Sequence, residues 1–153
     1  RLRGLEYLNF MADIYDVPTE GRREKIRDMA ERFEMTDALG DKILSYSHGM
    51  RQKIMVMGAL LHDPSLWVLD EPLTGLDPKA AFELKEMMRE HADSGRAVLF
   101  STHVLEVAEK LCDKVIIINK GHIVFQGTLA QLREGYAEGM SLEEIFLAVT
   151  EHA

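Results

Sequence analysis

The sequence has little of what disulfide-bonded or membrane-spanning proteins require. Cys112 is its only cysteine, so no disulfide can form within the chain, which fits a reducing cytoplasm. A small buried hydrophobe is the simplest interpretation of that residue. The longest apolar runs, such as 115–118, are far too short to cross a bilayer. The composition therefore favours a cytoplasmic globular chain.

Basic residues are in deficit as well. The chain has 18 Lys and Arg against 26 Asp and Glu, which gives a formal net charge of −8. Residues 1–60 carry ten of each sign, so the whole excess lies in 61–153, with eight basic and sixteen acidic residues. Surfaces that coat DNA or RNA need basic stripes, and we therefore expect no nucleic-acid partner. A small nucleotide site with Mg²⁺ near carboxylates is still compatible with this charge.

A G-x-x-x-x-G-K-[ST] phosphate loop is also missing from the 153 residues. A chain of this length suits one domain, or one lobe of a larger domain. It begins at Arg1 rather than Met and enters an amphipathic pattern at once. We therefore expect a truncated piece of a longer protein.

The pattern along the chain changes near residue 63. Before it, apolar residues recur at helical spacing in three stripes, within 5–15, 26–33 and 50–61. After it, apolar strands alternate with helix starts such as Asp77-Pro78. Lys120-Gly121 reads as a hairpin turn, and two capping boxes begin at Thr128 and Ser141. We predict an α/β fold with a helical subdomain at 1–62 and a largely parallel sheet with flanking helices at 63–153.

Two adjacent carboxylates, Asp70 and Glu71, follow the apolar strand 66–69, which we expect to be buried on both faces. Open α/β sheets place ligands at such strand ends, and adjacent side chains of an extended backbone point to different sides. One carboxylate can then hold Mg²⁺ while the other faces the substrate. We predict that Asp70 serves the metal and that Glu71 polarises an attacking water. The alternative is a strand that simply ends in polar residues.

Four further residues have a plain structural interpretation, and three of them, Ser47, Gly49 and His103, have a chemical interpretation as well. Ser47 and Gly49 begin a helix, where free N–H groups can bind an anion, or they form an ordinary helix cap. His103 follows a strand and can contact a γ-phosphate, or it is a surface or capping histidine. Asp77 is an N-cap candidate for the helix at Pro78, a role that needs no catalysis.

Together these stretches resemble the second half of an ATP-binding cassette (ABC) ATPase. The family's signature motif is matched by YSHGMRQK at 46–53, its Walker B strand by LWVLDEP at 66–72, its D-loop by LTGLDP at 73–78 and its H-loop by STH at 101–103. The usual L-S-G-G-Q stands here as Tyr46-Ser47-His48-Gly49-Met50, which retains the phosphate-facing serine and second glycine. Tyr46 and Met50 are similar to a subgroup of prokaryotic export-type subunits, whereas His48 has no assigned role.

The resemblance implies a composite site for ATP and Mg²⁺ between two subunits arranged head to tail. Ser47 and Gly49 are offered to the ATP of the opposite subunit, and Asp77 of the D-loop belongs to the same nucleotide-binding set. Asp70, Glu71 and His103 act on ATP held by the chain's own Walker A loop, which, like the Q-loop, is expected before residue 1. The fold implied is the later part of a P-loop NTPase-type sheet core.

The resemblance further implies a transport ATPase that works with transmembrane permease subunits on the cytoplasmic face of the cell membrane. An ATPase lobe of a chromosome-maintenance or DNA-repair protein and a non-catalytic interaction module of the same fold are the alternatives. Without Walker A, the isolated chain is expected to be inactive. It is also expected to self-associate, because the missing half would leave apolar surface exposed around Val68, Leu99 and Ile117.

Overall fold

The computed structural model describes residues 1–137 and 139–151, and these form an α/β fold. They divide into two compact units, 1–101 and a second unit that begins at Thr102. Within the described part of the chain, no helix is both long enough and apolar enough to cross a membrane.

The first unit opens with helices alone, as the periodicity predicts. Helix α1 spans Gly4–Ile14, α2 spans Arg22–Arg32 and α3 spans His48–Leu60. Two short 3-10 helices, Asp37–Gly40 and Ile43–Ser45, lead from α2 into α3. The stripe predicted within 26–33 is buried throughout (Ile26, Met29, Ala30 and Phe33). This buried face is what holds a short helix in place, because isolated helices of this length are marginal in water.

A parallel pair of strands follows the helices. Strand β1 (Leu66–Leu69) pairs with β2 (Ala97–Phe100), and helix α4 (Pro78–Asp93) joins them. The register places the last residue of β1 opposite the last residue of β2. Both strands therefore end at the same edge, and the residues that follow them are brought side by side.

Strand β1 is not buried on both faces, so that expectation is wrong for the described chain. Trp67 is buried and meets the ring of His91 on α4, but Leu66 is 51% exposed and Val68 is 62% exposed. Successive side chains of a strand point to opposite faces, and only the Trp67 face is covered within this unit. Leu99 of β2, opposite Val68, is exposed as expected.

The second unit is a β-hairpin packed by helices. It contains α5 (Leu105–Leu111), β3 (Val115–Asn119), β4 (His122–Gly127), α6 (Leu129–Arg133) and α7 (Leu142–Glu151). The predicted turn at Lys120-Gly121 is confirmed, and both residues have positive φ, as in a type I′ hairpin turn. The predicted capping boxes at Thr128 and Ser141 are also confirmed.

Ile117 is only 8% exposed, so the expectation that it lies on an uncovered face is wrong. It forms the core of the second unit with Leu132, Leu142 and Ile145. The exposed apolar face of β3 belongs instead to Ile116 and Ile118, which alternate with it along the strand.

Candidate functional site

The carboxyl ends of β1 and β2 carry a small hydrogen-bond network centred on Ser101. The Ser101 hydroxyl donates to the Asp70 carboxylate and accepts from the backbone N–H of Glu71 at 2.9 Å. The Ser101 backbone N–H donates to the carbonyl of Leu69 at 3.0 Å, which extends the parallel ladder by one bond. One serine on the neighbouring strand therefore fixes both the side chain of Asp70 and the backbone of Glu71.

The backbone of Glu71 lies in the left-handed region, with φ of 44°. In the described chain, the other four non-glycine residues with positive φ follow helices or form the hairpin turn, which are ordinary places for that conformation. They are Asp16, Glu34, Asp63 and Lys120. Glu71 follows a strand and precedes a proline, so its conformation is strained. Strained residues of this kind cluster at functional sites.

Ser47 caps helix α3, as predicted. Its hydroxyl accepts from the backbone N–H of Met50 at 3.2 Å, and its own backbone is extended, which is the N-cap geometry. The Ser47 side chain is exposed, and it lies at the positive end of a 13-residue helix. The arrangement can present a hydroxyl and free helix N–H groups to an anion.

The first two turns of α3 are attached to the segment that links β1 with α4. The side-chain amide of Gln52 donates to the carbonyl of Pro72 at 3.3 Å. The ammonium group of Lys53, only 12% exposed, pairs with the Asp77 carboxylate at 3.0 Å. The signature-like and D-loop-like segments are thus joined within one chain.

Asp77 has the local role predicted for it, the N-cap of α4. One carboxylate oxygen accepts from the backbone N–H of Ala80 at 2.9 Å and the other meets Lys53. The hydrogen bond from Ala80, followed by that from Lys53, lowers the pKa of Asp77. Both oxygens are therefore occupied by partners within the chain, and the carboxylate is held in its ionised form.

Two glycines allow the start of α3 to touch the turn at Gly75. A Cβ at Gly49 would lie 2.9 Å from the carbonyl oxygen of Gly75. A Cβ at Gly75, where φ is 78°, would lie 2.3 Å from the Cδ2 atom of His48. The requirement for glycine at position 49 therefore has a cause inside the chain, in addition to the close approach of a phosphate that the sequence suggests.

His103 belongs to the second unit and follows the end of β2. Its side chain is exposed, and the neighbouring Val104 N–H donates to the hydroxyl of Thr102 at 3.0 Å. The contribution of His103 to a site with Asp70 and Glu71 stays a prediction.

Asp70 can supply one protein ligand to a divalent metal. Among residues 1–137 and 139–151, no group of three or more His, Cys, Asp and Glu side chains is arranged to enclose an ion. Mg²⁺ commonly keeps several waters and is held by one or two carboxylates together with substrate phosphates. One exposed carboxylate at a strand end, fixed by Ser101, matches that coordination mode.

Three residues with defined contacts here were missed by sequence reasoning. Ser101, Gln52 and Lys53 lie inside the matched stretches, but nothing local marks their partners, which lie 20 to 31 positions away for Gln52 and Ser101. The usable signal for Ser101 was its place directly after a second parallel strand, where side chains meet those of the first.

Comparisons with known proteins give the following matches. The family model described as "AAA domain, putative AbiEii toxin, Type IV TA system" matches residues 17–109. The chain is 37% identical over 147 residues to the ABC-type transporter ATP-binding protein EcsA of Bacillus subtilis, covering 95% of this chain and 60% of that protein. It is 34% identical over 134 residues to the ABC transporter ATP-binding protein NatA of the same organism, covering 88% of this chain and 54% of that protein.

A solved structure titled "Structure of ATP binding subunit of ABC transporter" superposes with a TM-score of 0.93 at 33% identity. The match covers 98% of this chain and 63% of that one. The chain thus spans a little over half of each of these proteins, and the fold predicted from the sequence is confirmed.

Proposed function

Because this chain belongs to the ABC-type ATP-binding family and carries an AAA-type domain over residues 17–109, we propose that it is part of the ATPase subunit of an ABC transporter. The complete subunit couples ATP binding and hydrolysis to transport across a membrane, in the export direction. The observation that carries the proposal is the Asp70–Ser101–Glu71 network, which holds the Asp70 carboxylate and the Glu71 backbone at the shared end of two parallel strands.

The residues near that strand end have separate roles in this proposal. Mg²⁺, when bound with ATP, neutralises phosphate charge. Asp70 holds the metal, directly or through water, in the orientation that Ser101 sets. Glu71 accepts a hydrogen bond from the attacking water and orients it towards the γ-phosphate, and His103 hydrogen-bonds that phosphate.

Ser47 and Gly49 serve the ATP of a second subunit in a head-to-tail dimer. The exposed Ser47 hydroxyl and the N-terminal N–H groups of α3 support this role. Asp77 stays a proposed member of the nucleotide site. Its contacts with the Ala80 N–H and the Lys53 ammonium group fix the turn before α4.

The wider setting follows from the same proposal. Residues 1–62 form the helical signature subdomain, and 63–153 form the later part of the catalytic core. Permease subunits are the partners in the membrane, and the ATPase subunit is peripheral on its cytoplasmic face. Residues 1–153 contain no phosphate loop, so we expect this polypeptide alone neither to bind nor to hydrolyse ATP. We also expect it to self-associate, because Val68 and Leu99 on its strands are exposed.

Mixed dimers of the complete subunit test the proposal. The wild-type dimer should hydrolyse Mg-ATP. Ser47→Arg places a bulky cation where a serine approaches phosphate, so it should block hydrolysis at the site of the opposite subunit while the mutated subunit still binds nucleotide. Leu44→Arg is the matched control, because Leu44 is highly exposed and lies three residues before Ser47. Loss of hydrolysis at the mutated subunit's own ATP would contradict the head-to-tail arrangement.

A further inference from the structure

His48 lies between Ser47 and Gly49 in the signature-like segment, and the sequence assigns it no role. It is the first residue of α3, directly after the Ser47 cap. Its imidazole lies against Gly75, with the Cδ2 and Nε2 atoms 2.3 Å and 2.9 Å from the point that a Cβ on Gly75 would occupy. The ring therefore fills the space that the missing side chain leaves.

The contact is tight from both directions. Gly75 has φ of 78°, a conformation that glycine adopts at little cost. On the same turn, the Gly75 carbonyl closes onto Gly49, where a Cβ would be 2.9 Å away. The turn is thus contacted by two consecutive residues of α3, by the exposed ring of His48 and by Gly49, which has no side chain.

This turn lies between residues with separate proposed tasks. Upstream of it, Glu71 and Pro72 continue from the strand end, and the Pro72 carbonyl is bound by Gln52. Downstream, Asp77 caps α4 and pairs with Lys53. Three side chains of α3 thus contact the segment from Pro72 to Asp77, namely His48, Gln52 and Lys53. Of the three, His48 is the one adjacent to Ser47 in the sequence.

We propose that His48 is a positioning residue, which fixes the turn at Gly75 against the start of α3 and thereby sets where the Ser47 hydroxyl lies relative to Asp70 and Glu71 of the same chain. The inference rests on the proposed ATPase function and adds to it the role of the residue that departs from the family's usual glycine. In a head-to-tail dimer, one chain's Ser47 serves one ATP and its carboxylates serve the other, so this contact fixes the geometry of both.

A four-protein set of the complete subunit tests the contact: wild type, His48→Gly, Gly75→Ala and the double variant. A small misplacement of reacting groups can reduce turnover severely, and we expect His48→Gly to lower kcat about tenfold with KM unchanged. The rate of hydrolysis is divided by the concentration of nucleotide-binding sites measured in each preparation. Unfolded protein, which binds no nucleotide, therefore does not lower the kcat obtained. Gly75→Ala adds a methyl group in the space of the ring and should be more damaging. The double variant removes that clash and should regain kcat relative to Gly75→Ala alone.

Two controls separate the contact from general damage. Gly95→Ala introduces the same left-handed strain, with φ of 86° and no neighbouring atom within 4 Å of the new Cβ, and should leave kcat unchanged. His48→Gln keeps a planar group of similar reach and should retain most of the activity.

Multiplicative losses in the double variant, or a kcat of His48→Gly within about twofold of wild type, would overturn the proposal. A wild-type dimer without ATP hydrolysis would contradict the proposed function alone. The contact would then be judged by the thermal midpoints of the same four proteins, where additive shifts overturn it and a regained midpoint in the double variant supports it.

Discussion

Replacing Ser101 by alanine should slow ATP hydrolysis by the complete subunit without preventing ATP binding. The hydroxyl both orients the Asp70 carboxylate and accepts a hydrogen bond from the backbone N–H of Glu71, so its removal takes one hydrogen bond from the metal-side carboxylate and one from the strained Glu71 backbone. Neither residue contacts the base or the sugar in the proposed site, and for this reason we expect the loss in kcat rather than in nucleotide affinity.

The magnitude follows from the bonds that are lost. A hydrogen bond to a charged group contributes about 1.5–3 kcal/mol, and one to a neutral group about 1 kcal/mol. Asp70 and Ser101 are exposed, and water can replace part of each bond. We therefore expect the activation free energy of hydrolysis to rise by roughly 1.4 kcal/mol, which corresponds to about a tenfold decrease in kcat.

Steady-state ATPase assays with parallel nucleotide titrations measure this effect. Ser94→Ala is the matched control, because the Ser94 hydroxyl also has hydrogen-bond partners in the first unit, at the end of α4. It should leave kcat unchanged, and Ser101→Thr, which keeps a hydroxyl, should restore most of the activity. A Ser101→Ala protein with turnover equal to that of the Ser94→Ala control would refute the reasoning.

Three predictions concern stability and association. Leu84→Ala removes a fully buried side chain and should cost about 2–5 kcal/mol in urea unfolding of the complete subunit, whereas Phe82→Ala, exposed on the same helix, should cost far less; equal costs would contradict the described packing. A hydrogen bond from an α4 backbone N–H, and then one from Lys53, lowers the pKa of Asp77. The stabilising effect of the ionised Asp77 is therefore present at neutral pH and is lost as the pH falls through that lowered pKa. The difference in thermal midpoint between wild type and Asp77→Asn should accordingly shrink in acid. A difference that grows in acid would contradict this prediction. The polypeptide 1–153 should self-associate through its exposed strand face and Val68→Glu should reduce this, as sedimentation over a dilution series would show; a wild-type polypeptide that stays monomeric throughout contradicts it.

The features that were predictable from the sequence are those fixed by neighbouring residues. Ser47, Asp77 and Thr128 each accept the backbone N–H three positions on, so the start of each helix can be located without knowledge of the fold. The turn at Lys120-Gly121 is local in the same sense.

The features that were missed depend on distant pairing. Ser101 reaches Asp70 only because two strands lie parallel and in a register that sequence alone does not specify. The burial of β1 was misjudged for a related reason, since an apolar strand does not reveal which of its faces is covered. The role of Gly75 depends on a turn that folds against α3. A glycine in the sequence can indicate a tight turn, but it does not show that His48 is the residue packed against it.

The central claim is that Glu71 performs chemistry at the end of β1, and Glu71→Gln in the complete subunit tests it most directly. The amide keeps the size of the side chain but cannot polarise water as a carboxylate does. ATP binding should persist while single-turnover hydrolysis slows by orders of magnitude, with a smaller slowing in His103→Ala. Near-normal hydrolysis by the Glu71→Gln protein would contradict the account.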